Sequence, residues 1–152
     1  MKLSGLLHDM ALVPPGTDVE ISGIQTRAQD IVPGDLFLAI KGYSADGHDF
    51  IETALEKGAA AVVAQYNPDR LDRVFLVDHS RRAAGTIAAR FYGDPSKDLF
   101  LAGVTGTNGK TTITYLLEQM FLAAGHRCGV MGTINIRYNG NIVDTPTTTP
   151  DA

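Results

Sequence analysis

Short apolar runs alternating with amphipathic helical stretches along 152 residues predict an α/β fold. Three observations carry that reading. The runs DLFLAI (35–40) and AAAVVAQ (59–65) have strand length and are bounded by turn residues. Between and after them, apolar residues return at helical spacing. Finally, GVTGTNGKTT (103–112) joins an apolar run to a second amphipathic stretch, which gives the order strand, glycine turn, helix.

DLFLAI follows the turn pair Pro33-Gly34 and is predicted to be a buried strand. The helix after it, HDFIETALEKG, places Phe50, Ile51, Ala54 and Leu55 on one face and closes at Gly58. AAAVVAQ and VFLVD (74–78) are the next strands. Ser80 is expected to be the N-cap of a helix through Phe91, with Ala84, Ile87, Ala88 and Phe91 facing inward. YGDPSKD (92–98) concentrates Gly, Pro, Ser and charge without period, and a junction is expected there between a first unit, residues 1–97, and a second, 98–152.

In the second unit LFLAGVT (99–105) is expected to be a strand. TITYLLEQMFLAAG (112–125) reads as a helix carrying Ile113, Leu116, Leu117, Met120, Phe121 and Ala124 on one face and ending at Gly125. CGVMGTINI (128–136) is strand-like, and Asn139-Gly140 is the turn of a hairpin. A domain opening with strand, loop and helix needs further βα units to complete its sheet, so the chain is expected to be the front part of a longer protein.

A formal charge of −4 and a pI near 5.4 argue against nucleic acid as a partner, which needs clustered Lys and Arg. Any anion must be met locally. The single cysteine, Cys128, cannot form an internal disulfide, the N-terminus lacks a secretory-signal pattern, and no apolar run approaches the ~20 residues of a membrane span. A cytoplasmic protein with no membrane insertion is expected. His8, His48, His79 and His126 show no metal-ligand spacing.

The glycine-rich segment can be derived residue by residue. Gly106 and Gly109 permit positive φ and close backbone approach, so that successive N–H groups can point at phosphate oxygens while a helix N-terminus adds partial positive charge. Lys110 would reach the terminal phosphates, and Thr111 would offer a hydroxyl to Mg²⁺. The GxxxxGK[ST] pattern wants glycine at position 104, where Val104 stands. A bare strand-to-helix turn could use glycine for geometry alone; Lys110-Thr111-Thr112 at a helix start favours phosphate.

GVTGTNGKTT resembles the ATP loop of the Mur ligases, a Gly-Thr-x-Gly-Lys-Thr/Ser variant that Gly106 to Thr111 match at every fixed position. The variant accounts for Val104. Residues 26–63 are similar to the uridine-nucleotide-binding domain of that family, which typically reads Asp-Ser-Arg, a spacer, Gly-Asp-Leu-Phe and then Asp-Gly. Here Gln25-Thr26-Arg27 departs from it: Thr26 keeps the hydroxyl, and Gln25 lacks the carboxylate. MGTI (131–134) and TTTPDA (147–152) are most similar to the branch that adds the third amino acid of the peptidoglycan stem, with Thr147 where Asn often stands.

The resemblance implies a small N-terminal α/β uridine-nucleotide-binding domain followed by the start of a P-loop α/β ATPase domain. It implies an ATP-dependent acid–amino-acid ligase, acting on UDP-N-acetylmuramoyl-L-Ala-D-Glu and a free amino acid through an acyl phosphate, and a monomer. Gly106, Thr107, Asn108, Gly109, Lys110, Thr111 and Thr112 would bind ATP, Lys110 being catalytic and Thr111 a Mg²⁺ ligand. Ile24, Thr26, Tyr43, Ser44 and Ala45 would hold the uridine diphosphate, and Thr148 and Thr149 the muramoyl peptide. On their own chemistry Thr26 and Ser44 read as loop or cap hydroxyls, Asp46 or Asp49 at least as readily as a helix cap as a ligand contact, and Thr147 to Thr149 could be a loose end. The residues 1–152 alone are expected not to turn over. Other readings are the branch that adds D-Ala-D-Ala and a non-catalytic nucleotide-sugar module.

Overall fold

A computed structural model describes residues 1–42 and 45–144. They form two compact units, divided between Leu99 and Phe100.

The first unit is built on a four-stranded, all-parallel sheet with strands in sequence order: β1 (Gly23–Gln25), β2 (Asp35–Leu38), β3 (Ala61–Ala64) and β4 (Val74–Leu76). Every residue of β2 and β3 is buried. That is the signature of strands covered on both faces, where alternate side chains enter opposite cores. Leu36, Leu38, Ala61 and Val63 pack with the short helix α1 (Leu3–Leu6) and with Ala83, Ala84 and Ile87 of helix α3 (Ser80–Phe91). Phe37, Ala39, Val62 and Ala64 pack with Ile51 and Ala54 of helix α2 (Ile51–Glu56).

Strand β2 is set by the turn before it. Gly34 has φ +97, a left-handed value, and a Cβ there would meet Ser22 Oγ at 2.6 Å. The Asp35 carboxylate accepts from Val32 N–H at 3.1 Å and closes the turn. Gly58 ends the α2 region as expected, with φ +98. The expected N-cap at Ser80 is corrected. His79 holds that position without a side-chain bond, Ser80 is the first helical residue, and its hydroxyl donates to Gln65 Oε1 at 3.1 Å. A buried hydroxyl beside an amide acceptor has a better partner than its own helix turn.

The second unit contains helix α4 (Lys110–Ala123) and an antiparallel meander of β5 (Gly129–Met131), β6 (Asn135–Tyr138) and β7 (Asn141–Asp144). The 128–136 run is thus divided between two strands, with Gly132 N–H donating to Asn135 O between them. The β6–β7 hairpin turns at Asn139 (φ 48) and Gly140 (φ 78), the two positive values a type I′ turn requires. The expected strand over Leu99–Thr105 is not formed. No ladder partner stands beside it among the described residues, and Leu99, Phe100 and Leu101 are exposed. A parallel strand without neighbours has no hydrogen bonds to hold it.

Helix α4 carries the predicted apolar positions, yet its one buried residue is Glu118. The Arg137 guanidinium on β6 donates to Glu118 Oε2 through Nε (3.1 Å) and NH2 (2.7 Å), and to Asn135 Oδ1 through NH1. It also lies 3.7 Å over the Tyr115 ring. Hydrogen bonding to Glu118, which outweighs the effect of burial, holds Arg137 above its ordinary pKa. The pair pins helix to hairpin.

Candidate functional site

Two places carry polar groups in arrangements that could receive a ligand, one in each unit.

In the second unit the segment from Gly103 to Gly109 runs as irregular backbone into α4. Gly106 (φ +150) and Gly109 (φ +76) occupy conformations that side-chain-bearing residues avoid, and nothing lies within 4 Å of where a Gly109 Cβ would stand. Gly109 is the N-cap of α4; no side chain caps the first turn, and no acidic residue lies in it. The first-turn amides therefore face outward with the positive end of a 14-residue helix behind them.

Lys110 opens the helix, and its ammonium folds back over the loop, donating to Gly106 O at 2.5 Å and Thr107 O at 3.3 Å. Thr111 is half-buried and accepts from Thr114 Oγ1 through its carbonyl at 2.7 Å. Thr107, Asn108 and Thr112 are exposed around this centre. The seven residues from Gly106 to Thr112 thus form one cradle with a cation inside it. A polyphosphate fits: open space, outward amides, one lysine and no competing carboxylate. Mg²⁺ is less well provided for. Thr111 is one potential oxygen ligand, and no group of three His, Cys, Asp or Glu that could hold a metal exists among the described residues.

In the first unit, parallel pairing aligns the carboxyl ends of β1, β2 and β3, with Gln25 opposite Phe37 and Leu38 opposite Val63. Ligands of open α/β sheets collect outside that edge. Thr26 is exposed just past β1, whereas Ile24 is half-buried within it and packs against the core. Ala45 is exposed, and its carbonyl accepts from Gly42 N–H at 2.9 Å. Tyr43, Ser44, Thr147, Thr148 and Thr149 lie outside the described residues.

A network that sequence reasoning missed stands on the same edge. Asp46 caps the 3-10 turn Gly47–Phe50, as its type and place predict. Its Oδ1 accepts from His48 N–H (3.0 Å) and His48 Nδ1 (2.6 Å), while Oδ2 accepts from Tyr66 OH (2.8 Å). His48 Nε2 accepts from Gln65 N–H at 3.0 Å, so the ring proton sits on Nδ1. The His48 and Tyr66 rings stack at 4.0 Å. Burial pushes the Asp46 carboxyl upward, but the three donors outweigh it and hold the pKa at about 2. The bond to Asp46 pushes the Tyr66 hydroxyl up. His48 follows Asp46 by two residues, whereas Tyr66, 20 residues away, left no local signal.

Comparison with known proteins yields two family matches. The model described as "Mur ligase family, catalytic domain" matches residues 20–92, and the "Mur ligase middle domain" matches residues 104–152. A UDP-N-acetylmuramoyl-L-alanyl-D-glutamate–2,6-diaminopimelate ligase from Bacillus licheniformis is 39% identical over 100% of this chain and 32% of its own length. The MurF ligase of Thermotoga maritima, solved in complex with ADP, is similar at 32% identity and TM-score 0.51, over 73% of this chain and 25% of that one. The fold is shared with a solved UDP-N-acetylmuramoyl-L-alanyl-D-glutamate–2,6-diaminopimelate ligase, at TM-score 0.70 and 23% identity, over 94% of this chain and 30% of that one. The chain spans about a third of the length of the curated relatives it matches.

Proposed function

Because the chain belongs to the Mur ligase family, we propose that it is the front part of an ATP-dependent amide ligase of peptidoglycan precursor synthesis, one that adds the third stem-peptide amino acid to UDP-N-acetylmuramoyl-L-Ala-D-Glu. The division of labour follows two domains, residues 1–97 for the uridine nucleotide and 98–152 for the beginning of the ATPase. The observation that carries the reading is the cradle Gly106–Thr112, closed over by the Lys110 ammonium.

When bound, ATP supplies the phosphoryl group that turns the substrate carboxylate into an acyl phosphate open to the incoming amine. The protein's task is positioning and charge neutralisation. The loop amides and the N-terminus of α4 receive the phosphates. Lys110 exchanges two neutral carbonyl acceptors for charged oxygens, a stronger hydrogen bond. Thr111 would offer its hydroxyl to Mg²⁺. Thr26 and Ala45, with Tyr43 and Ser44, hold the uridine-diphosphate end; Ile24 contributes from within its strand. Thr148 and Thr149 are assigned to the muramoyl peptide on the resemblance alone.

The test is phosphate release by the full-length protein, given ATP, the UDP-muramoyl dipeptide and each candidate amine. Turnover is expected with the dipeptide and lost on Lys110→Ala, while UDP binding survives that change. A nucleotide-sugar module would show no ATP-dependent turnover in the unsubstituted protein. The 32% identity to a MurF ligase favours a second reading, addition of D-Ala-D-Ala, which turnover restricted to the UDP-muramoyl tripeptide would establish.

A further inference from the structure

We infer that Tyr66 is a positioning residue which, through the Asp46 carboxylate, sets the affinity for the uridine-diphosphate end of the substrate. The inference rests on the function proposed above.

Asp46 closes a tight turn beyond β2. Lys41 and Asp46 form an antiparallel bridge, Gly42 N–H donates to Ala45 O at 2.9 Å, and Gly47 N–H donates to Ile40 O at 2.9 Å. The direction of this turn therefore depends on how Asp46 is held. On one side the hold is rigid, because His48 is buried and fixed at both ring nitrogens. On the other side the partner of Oδ2 among the described residues is the Tyr66 hydroxyl at 2.8 Å. Tyr66 follows Gln65 at the end of β3, so its hydroxyl ties the turn to the neighbouring strand.

Tyr66 is placed for this and poorly placed for direct contact with a diphosphate. The 150 Å³ cleft beside it is also lined by Asp49, Glu52 and Asp69, three carboxylates that repel an anion. Its influence on a uridine diphosphate must run through the turn. The ring is 47% exposed and stacked on His48, so removing the hydroxyl leaves ring packing and both cores intact.

In the full-length protein Tyr66→Phe is expected to raise KM for the UDP-muramoyl dipeptide by about 3–10-fold, the effect of one partly exposed hydrogen bond to a carboxylate. The kcat and the KM for ATP should stay unchanged, while the melting temperature should fall by no more than about 4–8 °C, the loss of one partly exposed hydrogen bond. With Asp46→Ala already in place, which removes the acceptor, Tyr66→Phe should add nothing further. An unchanged substrate KM in Tyr66→Phe, an equal rise in the KM for ATP, or multiplying effects of the two substitutions would each overturn the inference while leaving the ligase reading intact. Absence of turnover in the unsubstituted protein overturns both.

Discussion

Replacing Gly47 by alanine tests the closest backbone approach in the first unit. A Cβ on Gly47 would stand 2.6 Å from Ile40 N and 2.7 Å from Ile40 O, with Ala39 C at 3.2 Å. These are main-chain atoms at the end of β2 and cannot rotate aside. The added methyl must push the turn off the strand, at an overpacking cost of roughly 1–3 kcal/mol. It also strains the Gly47 N–H to Ile40 O bond, worth about 0.5–1.5 kcal/mol. The sum, about 2–4 kcal/mol, corresponds to a melting temperature lower by roughly 10–25 °C for a unit of this size. The assay is thermal unfolding of the chain followed by far-UV circular dichroism. Gly93→Ala is the control: Gly93 has φ +77 with nothing within 4 Å, so it carries backbone strain of about 1 kcal/mol and no clash. If Gly47→Ala melts together with Gly93→Ala, the close approach does not exist as described.

Arg137→Met leaves the Glu118 carboxylate buried and alone, and should lower the stability of α4 by about 3–5 kcal/mol, read from hydrogen exchange of its amides. The double substitution Glu118→Leu with Arg137→Met should recover most of that loss. Asp46 gives an acid signature. Its folded pKa of about 2 lies below its ordinary 3.8, so the stabilisation is present above pH ~4 and is lost as pH falls toward 2. Discounted for solvent screening, the effect is about 1 kcal/mol, and Asp46→Asn should flatten the melting temperature across that window. Gly140→Val places a β-branched residue at φ 78 and should unpair β6 from β7, seen as lost amide protection at Asn141 and Tyr138.

Much of the fold was legible because it rests on local rules. Continuous apolar runs announced β2 and β3; Gly58, Gly125 and the Asn139-Gly140 pair announced their turns through the positive φ that each one shows. Illegible features depend on partners distant in sequence. Ser80 looked like a cap until Gln65 offered its amide, and Leu99–Thr105 looked like a strand for want of any local sign that no neighbour would pair with it. Helical spacing pointed to Ile113, Leu116 and Met120 as the covered face of α4, yet they are exposed and Glu118 is covered. Periodicity identifies a face; only a partner decides whether it is buried. At the candidate sites, the glycine loop was readable as a motif because its residues are contiguous. The Asp46–His48–Tyr66 network joins two strand ends and was not.

The Lys110 ammonium resting on its own loop's carbonyls has a bearing on recognition. Here the ammonium is held by two loop carbonyls, and an anion bound in the loop must draw it off them. In the function proposed above, an anion that touches only the helix amides leaves the ammonium on its carbonyls, whereas a phosphate chain that spans from those amides to the lysine engages both, so the loop is expected to favour the longer chain.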